Sequence, residues 1–314
     1  MTAVTFLLPA AEAFGAQRLD QESARLLGRA DRLPGGAAGR SAQLLRHFDL
    51  LPRGWPIAAL TRQADVGDAA GSTWLRADPA WIRPDINGAR LLACGSDLQL
   101  TAQDSAALLP ALRPLFGDAG FPIDAPDPAR WYLRLPAGAK LPAFASPAEA
   151  LGTELSEQLD DDGVEARRWR ALLNEAQIVL HNHPWNQGRA GRGLTPVNSL
   201  WFWGAGVLPD HVRTPHAAVA ADEEELRALA IAAGAQAGAA AAAFDPASTA
   251  TLVDLRALGD LRLFADAWLR PALAEVAKGK LDTLALDLED GAGYRFARSQ
   301  RWRFWRRPQA LLAQ

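Results

Sequence analysis

One cysteine, one methionine and two tyrosines occur in 314 residues. A lone cysteine, Cys94, excludes any intrachain disulfide and argues against the disulfide-stapled scaffolds of oxidising compartments. It is expected as a small packed side chain, not as a nucleophile. No apolar run approaches the roughly 18 residues that a transmembrane helix requires. The opening MTAVTFLLPAAEAFG has no basic leading region and contains Glu12, so it is expected to form a first strand and turn and not a signal peptide. Net charge is −3, which offers no overall attraction to nucleic acid or to an anionic membrane. A cytoplasmic protein without a membrane association is the expectation, and nucleic acid is not the expected partner. Histidine is scarce: His47, His181, His183, His211 and His216 are all there are. That is a poor supply for a site built on several Asp and His ligands.

What is present has the periodicities of an α/β chain. Thr5 to Leu8 reads as a strand, Ala24 to Ala30 and Ser41 to Phe48 as helices, and Pro56 to Leu60 as another strand. Asn87-Gly88 lies between two apolar-alternating runs, which predicts a hairpin of Trp81 to Pro84 with Ala89 to Ala93. Thr101-x-x-Asp104 is a capping signature that opens a helix to about Phe116. Arg130 to Leu135 reads as a strand whose arginines face solvent. Asp160-Asp161-Asp162 is expected to be a solvated loop, because consecutive carboxylates do not converge on one ion. Beyond Gly206, acidic residues 222 to 225 open a long alanine-rich helix that takes in Ala239 to Ala243. Thr251 to Leu255 reads as a strand and Leu261 to Ala277 as a helix.

The densest run of polar groups is HNHPWNQGRAGRGLTPVNSLWFWGAG, residues 181–206. Trp169, Leu172, Leu173, Ala176, Val179 and Leu180 mark one face of a helix that Pro184 stops. A residue before proline is pushed out of the α region, so His183 should be extended. If residues 187–192 make a short turn, Asn186, Arg189 and Arg192 can converge on one anion, the arginines presenting planar forks. Leu200 to Trp203 then reads as a buried strand closed by Gly204 and Gly206.

The pattern H-P-x-N-x-x-R-x-x-G-x-x-P-x-N, followed by an apolar strand and G-A-G, resembles a segment of archaeal-type cofactor-independent phosphoglycerate mutases of the alkaline phosphatase superfamily. The matching positions are His183, Pro184, Asn186, Arg189, Gly193, Pro196, Asn198, Gly204, Ala205 and Gly206. Weaker similarity reaches upstream to about Trp74, and a group of proteobacterial mutase-like proteins, also described as regulators of pathogenicity factors, looks closer still. The resemblance implies a three-layer α/β/α sandwich. It also implies a ligand pocket of His183, Asn186, Arg189, Arg192 and Asn198 for a small phosphorylated or carboxylated metabolite. It further implies an aspartate just after the first strand, a serine nucleophile and an H-x-x-x-x-D-x-x-x-H-like metal motif. Here Pro9-Ala10-Ala11 follows the strand, with Glu12 and the generic Asp20 the nearest acids. No nucleophile segment matches, with Ser23 and Ser41 the hydroxyls left open. The metal-motif region reads VDLRALGDLRLFADAW. The arginine-rich segment expected after the hairpin turn is reduced to Arg90.

The carboxyl end holds Arg295, Arg298, Arg301, Arg303, Arg306 and Arg307, interleaved with Trp302, Phe304 and Trp305, and has no acid after Asp290. Leu281 to Leu288 and Tyr294 to Phe304 are expected to pair as a hairpin whose aromatics pack on the body while arginines cover its rim. The composite expectation is a single α/β unit over 1–314, divisible into 1–73, 74–206 and 207–314. It is a reduced mutase core with a C-terminal β-hairpin, a bacterial pseudoenzyme in a regulatory role with no metal and no assignable catalytic residue. Two alternatives stand beside it. One is a divergent mutase that needs a divalent metal; separately, His211 and His216 with His181 or His183 are candidates for a different metal site. The other is an interaction protein, partner unknown, acting through the basic aromatic hairpin.

Overall fold

The computed structural model describes residues 3–85, 88–151, 163–249 and 251–312; within 84–89 no side chain is described. The tip Asn87 and the run Asp160 to Asp162 therefore lie outside the described residues. The chain forms two compact units, one of 1–53 with 210–314 and one of 54–209. The first and last parts of the sequence thus share one unit, and the middle is an excursion from it.

The chain begins with β1 (Ala3–Leu8), α1 (Gln21–Arg29), β2 (Asp31–Arg32), α2 (Arg40–Leu45) and β3 (Asp49–Leu51). The excursion runs through α3 (Ile57–Asp65), β4 (Thr73–Asp85), β5 (Gly88–Cys94), α4 (Ala102–Asp118), β6 (Ile123–Asp127), β7 (Arg130–Leu135), α5 (Pro147–Ala150), α6 (Val164–His181), α7 (Pro184–Gly191) and β8 (Ser199–Val207). The return comprises β9 (His211–Arg213), β10 (Ala218–Ala220), α8 (Glu224–Ala232), β11 (Gln236–Gly238), β12 (Leu252–Asp254), α9 (Leu261–Phe264), α10 (Arg270–Lys278), β13 (Thr283–Leu288) and β14 (Gly293–Ala297).

The first unit is built on a seven-stranded sheet, β11-β10-β12-β1-β13-β14-β2, parallel from β11 to β13. Phe6, Leu8, Leu284 and Leu286 lie in one apolar cluster with Leu27 of α1 and with Phe264, Leu269 and Val276 from α9 to α10. Leu7 points the other way and is also fully buried, so both faces are covered, as a parallel sheet requires. This is the expected α/β sandwich. In the second unit β4 is the hub, pairing with β5, β7 and β8 in an antiparallel sheet. Leu75, Trp131 and Phe202 pack with Leu112 of α4 and Trp169 of α6 on one face. Ala58 and Ala59 of α3 meet Trp74 and Tyr132 on the other.

Four expectations change. Residues 56–60 open helix α3 and are not a strand; Ile57 to Arg62 are all buried, and a short apolar run without solvent-facing positions carries no period to separate helix from strand. Strand β8 runs through Gly204 and Gly206 instead of ending there. A Cβ at Gly206 would lie 2.4 Å from Cβ of Pro56, so the glycine admits α3 against the strand. Helix α8 stops at Ala232, with Gly234 left-handed at φ 72°, and Ala239 to Ala243 are irregular. Strand β14 ends at Ala297, after which Trp302, Phe304 and Trp305 are 62%, 76% and 69% exposed. Tyr294 and Phe296 pack on the body as expected; the later aromatics do not.

Candidate functional site

Ligand sites in open α/β sheets lie outside the carboxyl ends of the strands. In the first unit those ends carry charge. Asp254, the last residue of β12, and Asp287, near the end of β13, both sit in register with Leu7 of β1, so their side chains leave the same face on either side of it.

Neither carboxylate is free. Arg256 grips Asp254 with a bidentate fork, Nε to Oδ1 at 2.8 Å and Nη2 to Oδ2 at 2.9 Å, and also pairs with Glu223, which follows β10. Glu223 is held from its other side by Arg40 of α2. The result is an alternating row, Asp254–Arg256–Glu223–Arg40, with Arg256 almost completely buried. Burial by itself would raise the Asp254 pKa, but the hydrogen bonds and charge of Arg256 outweigh it and hold the carboxyl below its ordinary value. Burial works against the Arg256 guanidinium too, and Asp254 with Glu223 reverses that.

Asp287 is the centre of a second cluster. Arg46, just past α2, forks onto it at 2.6 and 3.0 Å, and His47 Nε2 lies 2.8 Å from Oδ2. His47 Nδ1 in turn is 3.1 Å from Nε2 of His216. Burial favours a protonated Asp287, yet His47 and Arg46 keep it below the normal carboxylate range. Between the strands Gln43 donates to the carbonyls of Leu8 and Asp287, and among the described residues its Oε1 has no hydrogen-bond partner.

Asp254, Glu223, Asp287, His47 and His216 are the residue types of a metal site, but their arrangement does not fit one. Each carboxylate already has a guanidinium in contact, and among the described residues no group of three or more His, Cys, Asp and Glu converges as ligands would. His211 stands in β9 and is exposed. Asp20 and Ser23 are also committed locally: Asp20 caps α1 by accepting from the backbones of Glu22 and Ser23, and Ser23 Oγ donates to it at 2.6 Å.

The second unit contains the corner singled out in the sequence. His183 is extended, at φ −71° and ψ 125°, and its Nδ1 accepts from the Trp185 backbone to cap α7. Asn186 is buried; its amide donates to the carbonyls of Leu180 and Val197, and its oxygen accepts from the Val197 backbone. Asn198 exchanges the same pair of bonds with Ile82 of β4. Arg189 is 0% exposed, donates to the carbonyls of Thr195 and Leu98, and meets Asp104 at 2.9 Å. Asp104 also caps α4 through Thr101 and accepts from Trp185 Nε1. Burial pushes its carboxyl up, but the Thr101, Trp185 and Arg189 hydrogen bonds bring it far below the usual range. Arg192 is different: its side chain is 56% exposed and reaches Asp104 only at 3.8 Å. The corner therefore brings Asn186, Arg189 and Asp104 together as bracing, and leaves Arg192 and the half-buried His183 toward solvent. Arg130 forks onto Asp65 and serves no open site.

Sixty-three residues, 20% of this chain, are 40% identical to a probable 2,3-bisphosphoglycerate-independent phosphoglycerate mutase of Geobacter sulfurreducens, over 16% of that protein. The chain resembles the cofactor-independent phosphoglycerate mutases. A second such mutase, from Methanothrix thermoacetophila, is 33% identical over 67 residues, 21% of this chain and 17% of its own. The matched stretch thus spans about one sixth of the length of these mutases. No family model matches. The cofactor-independent phosphoglycerate mutase structure from Thermoplasma acidophilum overlays 95% of this chain and 90% of its own with a TM-score of 0.41 and 16% identity. The fold assignment rests on the strand order and not on that overlay.

Two expectations follow. Arg189→Ala leaves a buried Asp104 with only the exposed Arg192, 3.8 Å away, and should lower stability by about 3 kcal/mol, read as a fall in the chemical denaturation midpoint; an unchanged midpoint would show that the pair carries no structural load. His216 has its pKa depressed to about 4 by burial and then by His47. Because its folded value lies below its unfolded one, the unfolded chain binds the extra proton between about pH 6.5 and 4, and stability falls as pH drops through that window. Thermal melts should show that decline, and His216→Gln should make it shallower; equal slopes would remove His216 as its source.

Proposed function

We propose that this protein is a catalytically inactive phosphoglycerate mutase-like protein that acts by binding a small phosphorylated or carboxylated ligand in a regulatory role. The inactivity reading is carried by the row Asp254–Arg256–Glu223–Arg40. The resemblance implies a metal motif in the stretch that begins VDLR, and there the chain places an aspartate clamped by its own arginine two residues on. Transferring a phosphoryl group requires uncommitted positive charge, from metal ions or open guanidiniums, aimed at the reacting oxygens. At these strand ends the arginines are spent on carboxylates, so the charge is internally cancelled. Asp287 repeats the arrangement with Arg46 and His47.

The binding reading rests on the corner. Asn186, Arg189 and Asn198 hold the turn in shape by satisfying its buried backbone groups. Arg192 and His183 are the members with donors toward solvent, and they are the ones we assign to the anion. A regulatory role suits a fold that keeps a recognition corner while the carboxyl ends of its strands are neutralised.

Purified protein given 3-phosphoglycerate with Mn²⁺, Mg²⁺ or Zn²⁺ should form no 2-phosphoglycerate. Calorimetry with 3-phosphoglycerate should show saturable heat, weakened about tenfold by Arg192→Ala, the size of one charge-assisted hydrogen bond. Turnover abolished by Asp254→Asn would overturn the first statement, and absence of saturable heat the second.

A further inference from the structure

The exposed aromatics after β14 do not belong to a loose tail. Gln300 is buried and bonds to Asp31 and to the carbonyl of Arg295. Arg303 reaches the carbonyl of Arg29 and the carboxylate of Asp31 at 2.5 Å. Beyond them Gln309 donates to the Tyr294 hydroxyl, and Leu312 is buried. The carbonyl of Arg307 lies so close to α1 that a Cβ at Gly28 would be 2.1 Å away. Residues 301–308 are thus pinned at both ends and against a helix, yet Trp302, Phe304 and Trp305 face solvent. Three large apolar rings held outward by a fastened backbone mark an interaction surface.

The surrounding charge has one sign. No acid follows Asp290. The carboxylate bonded to this stretch, Asp31, is taken up by Arg303, and among the described residues neither Arg306 nor Arg307 has a carboxylate partner. Beside this stretch lies a groove of about 80 Å3 with Leu26, Leu273, Val276 and Phe296 in its wall together with Arg298 and Arg301. Its apolar wall suits hydrocarbon, and the neighbouring guanidiniums suit phosphate.

We propose that this face docks on an anionic lipid bilayer, Trp302, Phe304 and Trp305 entering the headgroup region while Arg298, Arg301, Arg306 and Arg307 contact lipid phosphates. Rings of mixed orientation are what the bilayer interface accepts, since indoles there need only an apolar side and a wet edge. Single-stranded nucleic acid asks for something else, successive bases stacked on open parallel faces. Here Phe304 and Trp305 cross at 80°, and Arg301 already covers one face of Trp302. The net charge of −3 over the whole chain does not oppose a local patch, because screening confines its effect to about 10 Å. The contact is peripheral: among the described residues no helix is long and apolar enough to cross a membrane.

Co-sedimentation of the full chain with vesicles of phosphatidylcholine, alone or mixed with phosphatidylglycerol, tests this. Binding should require phosphatidylglycerol and weaken as salt rises. Joint Trp302→Ser and Trp305→Ser, and separately joint Arg306→Gln and Arg307→Gln, should each reduce it by roughly tenfold. The melting temperature should hold, since these side chains are exposed. No pelleting with phosphatidylglycerol vesicles at low salt overturns the proposal. So does pelleting that neither variant changes, or binding of single-stranded oligothymidylate through these residues without vesicle binding.

Discussion

Two carboxylates at the ends of parallel strands, on either side of a buried leucine, set the terms for the rest of the first unit. Asp254 and Asp287 are removed from water by the helices that cover the sheet, and an uncompensated buried charge costs several kcal/mol. Something positive has to stand beside each. In this chain it is arginine: Arg256 and, through Glu223, Arg40 on one side, and Arg46 with His47 on the other. Because Arg40, Arg46 and His47 all come from α2 or the residues just after it, that helix is fixed over the strand ends by the same contacts. The position of the helix and the balance of charge at the strand ends are one arrangement.

The corner in the second unit obeys the same economy of buried charge. Arg189 has the right chemistry for an anion, and its anion is Asp104 of the same chain. Asp104 simultaneously caps α4 through Thr101 and takes the Trp185 indole, so Thr101, Trp185 and Arg189 converge on one carboxylate. Asn186 and Asn198 close backbone groups that have no sheet or helix partner. The motif thus braces the fold, and Arg192 alone of its arginines faces solvent.

Local signals were readable from sequence where one segment contained both partners. Thr101 with Asp104, Pro184 after α6, the pairing of β4 with β5 and the alternating leucines of β13 all depend on neighbours within a few residues. Residues 56–60, Pro-Ile-Ala-Ala-Leu, contain no polar position to reveal the period of helix α3, and at 239–243 the composition favours helix while Gly234 ends it. The decisive pairs were not readable at all. Arg40 with Glu223 and Arg46 with Asp287 join residues 183 and 241 positions apart, and nothing local distinguishes those arginines from solvated ones. The D-L-R of residues 254–256 was the one clue, since an acid at a strand end followed two residues later by arginine permits a fork. The exposed face of the C-terminal aromatics was hidden for the opposite reason: interleaved rings and arginines suit a packed rim equally well.

The central claim, that fixed guanidiniums hold the place of any cation at the strand ends, is tested most directly by titrating Mn²⁺ into the native protein in a calorimeter. The account predicts no saturable heat. Stoichiometric binding that disappears in Asp287→Asn or Asp254→Asn would contradict it, because it would show those carboxylates yielding their arginines to a metal.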